Sequence, residues 1–246
     1  MTPHPADGIR HTGESGIALI LALLVSGFLS AIGLGLALVV SLDQIVGGHY
    51  RDAVAMLHAA DAGVELAAHD LAQQADWDAV LSGLVQADFA DGAPAGDRAI
   101  PGGGTVSLTA ETNRINCGTV VACTDQQMAA ISRDRPWGAN NPRWRLYAYG
   151  SLTGLDPLVR SALCYLLVWL ADDSRESDGD PTRDGAAADR RGRGILRVRA
   201  ETIARSGARR AVEAELARVC WPEAGGERCQ PGIRVQSWRE VRQIVP

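Results

Sequence analysis

The sequence predicts an α+β fold in which a long N-terminal helix, first transmembrane and then amphipathic, packs on one face of an antiparallel β-sheet. Three observations carry that expectation. Residues 17–42 form an unbroken apolar run without charge or proline, residues 49–71 place apolar side chains at helical spacing, and beyond residue 104 the hydrophobic period shortens toward two. A chain of 246 residues has enough material for one good core and an anchor, with little room for two full domains.

The apolar run, IALILALLVSGFLSAIGLGLALVVSL, is the firmest of these elements. At about 1.5 Å per residue it exceeds the roughly 30 Å of a bilayer's hydrocarbon core. A cleaved secretory signal has an apolar core of only about 7–15 residues, and a buried helix of this composition needs a core around it on every side. The run is therefore read as a transmembrane helix. Gly27, Ala31 and Gly35 recur at every fourth position, so they share a face where a second helix could approach closely. Residues 1–16 form a short polar leader whose single firm positive charge, Arg10, says little about orientation.

Residues 43–90 are read as the amphipathic continuation of that helix. Val54, Leu57, Val64, Leu71 and several alanines fall at helical spacing, with Arg51, Asp52, Asp61, Glu65 and Asp70 elsewhere on the circumference. Gly47 and Gly48 are costly inside a helix and mark a bend at the membrane surface. His58, Asp61, Glu65 and His69 line one face at intervals of three or four, which would suit a metal ion but is read as a solvated polar face.

Residues 91–246 are assigned to an antiparallel β domain. It opens with a loop rich in Gly, Pro and Asp that ends at residue 104, and candidate strands follow at 105–112, 143–152, 161–170, 195–202 and 209–219. The third strand, nearly continuously apolar, belongs in the sheet centre. The fifth alternates in places yet is built from strong helix formers, so strand and helix both remain open on propensity alone.

Five cysteines fit no compact zinc spacing. Cys117 with Cys123 and Cys220 with Cys229 stand close in sequence; outside the cytoplasm each pair could close a short-loop disulfide and leave Cys164 as a buried thiol, while reduced cysteines throughout are the alternative. The acidic stretch ADDSRESDGDPTRDG brings Asp172, Asp173, Asp178, Asp180 and Asp184, with Glu176, onto a loop of tight turns. Hard oxygen ligands at short spacing are what a structural Ca²⁺ requires, although the spacing is not that of an EF-hand, and a solvated acidic turn is the other reading.

Other chemistries are excluded. A net charge of -5 without a basic run offers no footprint for nucleic acid. All five histidines lie in the leader or the helical region, so Ser-His-Asp, Cys-His and histidine-zinc chemistry have no place in the β domain. No Walker, Rossmann or G-x-S-x-G signature occurs. The expectation is a protein that is not an enzyme.

Three blocks resemble a known family. A short polar leader ending in Gly16, then Ile17-Ala18-Leu19-Ile20 and the apolar helix, is similar to a class III prepilin signal. Tyr50-Arg51-Asp52 followed by Ala59-Ala60-Asp61-Ala62-Gly63-Val64-Glu65 resembles the end of the N-terminal domain of PilX-like minor pilins, with Asp61 where a Glu is typical. The stretch around Ser206-Gly207 resembles the terminal hairpin of the same subunits, which favours strand over helix for 209–219.

The resemblance implies a pilin-like fold and cleavage by a prepilin peptidase after Gly16, leaving Ile17 as the new terminus. It implies an inner-membrane anchor, a periplasmic C-terminal domain, and pilins or minor pilins as partners through the N-terminal helix. Some pilins and pseudopilins also bind calcium in comparable loops. Ile17 replaces the usual Phe, and Leu21 stands at the fifth mature position in place of Glu. A subunit without that Glu suits the repeating shaft poorly and fits a minor subunit that primes assembly or binds partners at a pilus tip. Two alternatives stay open: a minor pseudopilin of a type II secretion system, and a signal-anchored periplasmic ligand-binding domain.

Overall fold

A computed structural model describes residues 14–130, 140–152, 164–175, 179–185, 194–218, 220–223, 226–229 and 232–241, with the side chains of 14–15, 220, 222–223 and 226–229 excepted. The chain divides into two compact units, Met1–Arg51 and Asp52–Pro246. The described part of the first unit is helix throughout. It belongs to α1 (Glu14–Gln73), and its residues from Gly16 to Val46 are exposed. The helix is long and apolar enough to cross a membrane.

The second unit is an α+β arrangement. A five-stranded antiparallel sheet is built from β3 (Arg145–Ser151), β4 (Cys164–Asp172), β5 (Ile195–Ala204), β6 (Arg209–Ala217) and β9 (Arg234–Val241), in the order β3-β4-β5-β6-β9. Two small hairpins, β1 (Asp97–Ala99) with β2 (Thr105–Ser107) and β7 (Cys220–Glu223) with β8 (Gly226–Cys229), stand outside it. Three short helices, α2 (Trp77–Leu81), α3 (Leu108–Cys117) and α4 (Asp125–Ala129), complete the unit.

β4 explains the layering. All nine of its residues are buried, and its side chains alternate between two cores. Cys164, Leu166, Val168 and Leu170 join α1, α2, Val198, Ala200, Val212 and Ala214 on one face. Tyr165, Leu167, Trp169 and Ala171 join Val106, Leu108, Trp144 and Ile203 on the other. A strand buried on both faces reads as a continuous apolar run, as this one does. It is an interior strand beside the central β5. The second face is covered by the β1–β2 hairpin and α3, a layer absent from the sequence expectation of one helix on one face.

Within the second unit α1 meets the sheet through Met56, Ala59, Ala60, Gly63, Val64, Ala67 and Leu71, the i, i+3, i+4 progression of one helical stripe. Its small members bring the backbone close. A Cβ placed on Gly63 would stand 2.9 Å from Leu166 Cδ1 and 3.1 Å from Ala200 Cβ. The Thr202 hydroxyl donates to the Met56 carbonyl at 3.0 Å.

Three boundaries differ from the sequence expectation. The amphipathic helix ends at Gln73, not at residue 90. Asp76 caps the separate α2 through the backbone N–H groups of Asp78 and Ala79, while Arg218 donates to the carbonyls of Gln74 and Ala75 just past the end of α1. The candidate strand 105–112 is strand only to Ser107, where α3 begins and runs to Gly118 in the left-handed region. β9 lies at the sheet edge in a segment where no strand was expected.

The ambiguous segment from residue 209 is a strand, joined to β5 by a turn in which the Gly207 N–H donates to Ala204 O at φ +79°.

Candidate functional site

The N-terminal positions singled out from sequence all lie on α1. Gly16 and Ile17 sit in its first turns, and Gly27, Ala31 and Gly35 share one helical face, exposed in this chain. Nothing comes within 4 Å of a Cβ built on Gly27 or Gly35. Residues 1–13 of the leader lie outside the described residues.

The acidic loop is divided among separate structural tasks. Asp173 Oδ1 accepts from the Arg175 N–H, and Asp180 Oδ1 from the N–H and hydroxyl of Thr182. Asp184 is buried; its Oδ1 accepts from Gly194 N–H at 2.6 Å and its Oδ2 from Arg218 Nη2 at 3.1 Å. The Asp184 N–H in turn donates to Asp78 Oδ1 at the start of α2, and the Arg218 guanidinium lies 4.1 Å from the Trp77 ring centroid. This end of the loop is thus a clasp between α2, the start of β5 and the end of β6. Asp172 is buried at the end of β4, and Asp178 lies outside the described residues. No group of three or more metal-ligating side chains occurs among the described residues.

Cys117 and Cys123 form a disulfide that ties the end of α3 to the residue before Thr124, the N-cap of α4. Strand register sets Cys220 opposite Cys229 in the β7–β8 hairpin, though their side chains lie outside what is described. Cys164 is free and buried, and burial pushes its thiol up to about 11, so it stays protonated at neutral pH.

His58, Glu65 and His69 are exposed on α1. His69 bonds Gln73, and Asp61 accepts the Trp238 indole N–H at 2.7 Å. Tyr147 is buried, and burial together with its hydrogen bond to Asp70 pushes the hydroxyl far above the usual range. Burial likewise pushes the Asp70 carboxyl up.

The largest assembly of charge was not singled out from sequence. It lies on the sheet face opposite α1, where the β5–β6 register sets Arg199 opposite Glu213 and Arg197 opposite Glu215, and the β6–β9 register sets Arg239 opposite Glu213. Glu213 accepts from Arg199 at 2.9 Å, from Arg197 at 3.3 Å and from Arg239. Glu201, with no exposed surface, accepts from Arg114 and Arg209 at 2.8 Å each and from Arg199 at 3.3 Å. Glu111 of α3 shares Arg114 and Arg209.

Burial pushes the Glu213 carboxyl up, but Arg239, Arg199 and Arg197 outweigh it and hold the group below the ordinary glutamate value. Burial also opposes the charge of Arg209, and Glu111 with Glu201 outweighs that. The R-x-R-x-E alternation in β5 was the legible signal; the partners needed the hairpin register. Each carboxylate of this lattice is occupied by guanidinium, which suits a fixed scaffold and leaves none of them free as a general base.

No family model, curated protein or solved structure matches the chain.

Proposed function

We propose that this protein is a non-enzymatic minor pilin, a subunit of a type IV pilus or related secretion filament, anchored in the inner membrane with its β domain in the periplasm before incorporation. One observation carries the reading. A single helix, α1, combines a fully exposed apolar stretch through Val46 with a small-residue stripe, Ala59, Ala60, Gly63 and Ala67, that packs on an antiparallel sheet. Such an element serves as a membrane anchor through its first part and as a covering helix of the domain through its second. The exposed face of Gly27, Ala31 and Gly35 suits close packing against a neighbouring helix, that of another pilin or minor pilin.

Leu21 in the place of a buried Glu removes the charge that would otherwise need a partner in lipid or a filament core. That favours a priming or tip position over the shaft. The disulfide at Cys117–Cys123 agrees with an oxidising compartment for the domain.

The test is expression of the full chain with and without a prepilin peptidase, followed by sequencing of the mature N terminus. The reading requires Ile17 as the first residue only when the peptidase is present. Retention of the whole leader, or cleavage beyond residue 42, would falsify it.

A further inference from the structure

The segment that follows α3 is held to the rest of the domain by very little. None of residues 119–130 is buried, and α4, the helix within it, contributes no side chain to either core. A helix of five residues is far shorter than the roughly 12–15 that persist alone in water, so α4 depends on what ties it down. Its own bonds are local: Thr124 and Gln127 close a capping box, and the Met128 N–H donates to the Thr124 carbonyl. Among the described residues, two ties reach the rest of the fold. One is Asn141, fully buried, whose side-chain nitrogen donates to the carbonyls of Met128 and Ala130 at 3.0 Å each. The other is the Cys117–Cys123 disulfide.

The two sides of that disulfide differ. Cys117 ends α3, which is firmly placed. Leu108 at its start lies in the second core, and the Trp169 indole donates to the Thr112 hydroxyl at 3.1 Å. Asn116 brackets Trp144, donating to its carbonyl at 2.8 Å and accepting from its N–H at 2.9 Å. Cys123 stands directly before Thr124, the N-cap of α4, and has only the loosely held segment behind it. The bond closes a small ring, with a sequence separation of 6, that leaves Val120 and Val121 in solvent. Both cysteine residues are partly exposed, so the bond lies near the surface, where thiol exchange has access without unfolding of the domain.

We propose that the Cys117–Cys123 disulfide is a redox switch for the order of residues 118–130, opened by a dithiol reductant. One thiolate of the reductant attacks a sulfur of the pair, forming a mixed disulfide and releasing the other cysteine as a thiolate. The second thiol of the reductant then closes on the first and expels the remaining cysteine. Two electrons and two protons pass from the dithiol to the pair, which leaves an oxidised reductant and two free thiols. In that form the segment keeps Asn141 as its tie among the described residues, and one such bracket does not offset the chain entropy that release restores. α3 and the sheet keep their packing, since no core residue lies in the segment. The proposal concerns this disulfide alone and stands or falls separately from the filament reading.

The test is hydrogen exchange read by mass spectrometry on the full chain in nanodiscs, before and after treatment with dithiothreitol in the absence of denaturant. Alkylation and peptide mass identify which cysteines have been reduced. Reduction of Cys117 and Cys123 under these native conditions is expected to speed exchange in residues 118–130 about tenfold or more, while amides of β4 and β5 change by less than about twofold. Removal of the reductant and reoxidation should restore the slow exchange. The double substitution Cys117→Ser with Cys123→Ser should show the fast pattern without any reductant, which separates this pair from other effects of dithiothreitol.

A pair that dithiothreitol reduces only after denaturation is a structural staple, and that result overturns the proposal. So does unchanged exchange in residues 118–130 of the reduced wild-type chain, because Asn141 then suffices to hold the segment. Loss of protection in β4 and β5 on reduction overturns it as well, since the bond would then support the whole domain.

Discussion

Glu213 and Glu201 lie beneath the surface of the sheet with three arginines each, and at this scale the main question is what one carboxylate contributes. Buried charge is tolerated only when its partners are present, and removal of one partner leaves the others desolvated and unmatched. Glu213→Gln is accordingly expected to cost about 3 kcal/mol at neutral pH, measured by urea unfolding. The pH dependence follows from the direction of its shift. The folded carboxyl lies below its ordinary 4.5, so its stabilisation is complete above that value and is lost as pH falls through the lower folded value. Asp70 and Asp173 are pushed up by burial and act in the opposite sense, favouring the fold as they take up protons. The informative quantity is therefore the difference between wild type and Glu213→Gln, which should shrink as the medium is acidified below about pH 4. A difference that stays constant with pH would mean that the carboxylate's charge is not what the arginines hold.

Among the elements, the contact of α1 with the sheet depends most on one residue. Gly63 has its backbone against Leu166, Val168 and Ala200, where an added methyl group has no room. Gly63→Ala improves helix propensity by about 1 kcal/mol, yet forcing the helix off the sheet costs about 1–3 kcal/mol. Overpacking outweighs propensity here because Ala200 is already the smallest side chain that can lie below and cannot move aside. A lowered melting temperature with unchanged helix content by circular dichroism is the expected outcome, and a raised one would place the helix further from the sheet.

The same contact shows how much of the architecture was legible in sequence. The small residues at 59, 60, 63 and 67 fall at helical spacing, and the strands from 145 to 217 carry either continuous or alternating apolar residues. β9 was not legible because Val235 and Trp238 remain partly exposed at the sheet edge, so the segment lacks the buried face that produces periodicity. In α3 the alternation TVSLTAET suggested a strand through residue 112, whereas the segment turns helical at Leu108, which is buried in the second core. In the acidic loop the bond of Asp184 to Arg218 was not legible, because Arg218 is 34 residues away in sequence. The arginine–glutamate lattice follows from a turn at Ser206-Gly207 that was recognised, but the register it imposes had to be drawn before Arg199 met Glu213.

For the molecule as a whole, the division into two units makes a claim about where folding energy resides. Every member of both cores, including the partly buried ones, lies at or beyond Ala55. The exposed apolar residues of the first unit bury nothing among the described residues of the chain. Removal of residues 1–51 should therefore leave a folded, soluble domain that still contains the 22 helical residues from Asp52 to Gln73. Its melting temperature is expected to lie within about 2 °C of that of the full chain, a shift that corresponds to no more than about 1 kcal/mol at this size. Removal of residues 1–73 is a different operation. It takes Met56, Val64 and Leu71 from the sheet as well as the small residues between them. At about 1.5–3 kcal/mol for each large apolar side chain exposed, these three alone forfeit about 4–9 kcal/mol of a total that is about 5–15 kcal/mol for a domain. The shorter deletion should give a cooperative thermal transition and the longer one none. If the shorter deletion also abolishes the transition, the apolar segment takes part in the fold of the domain, and its role is more than that of an anchor.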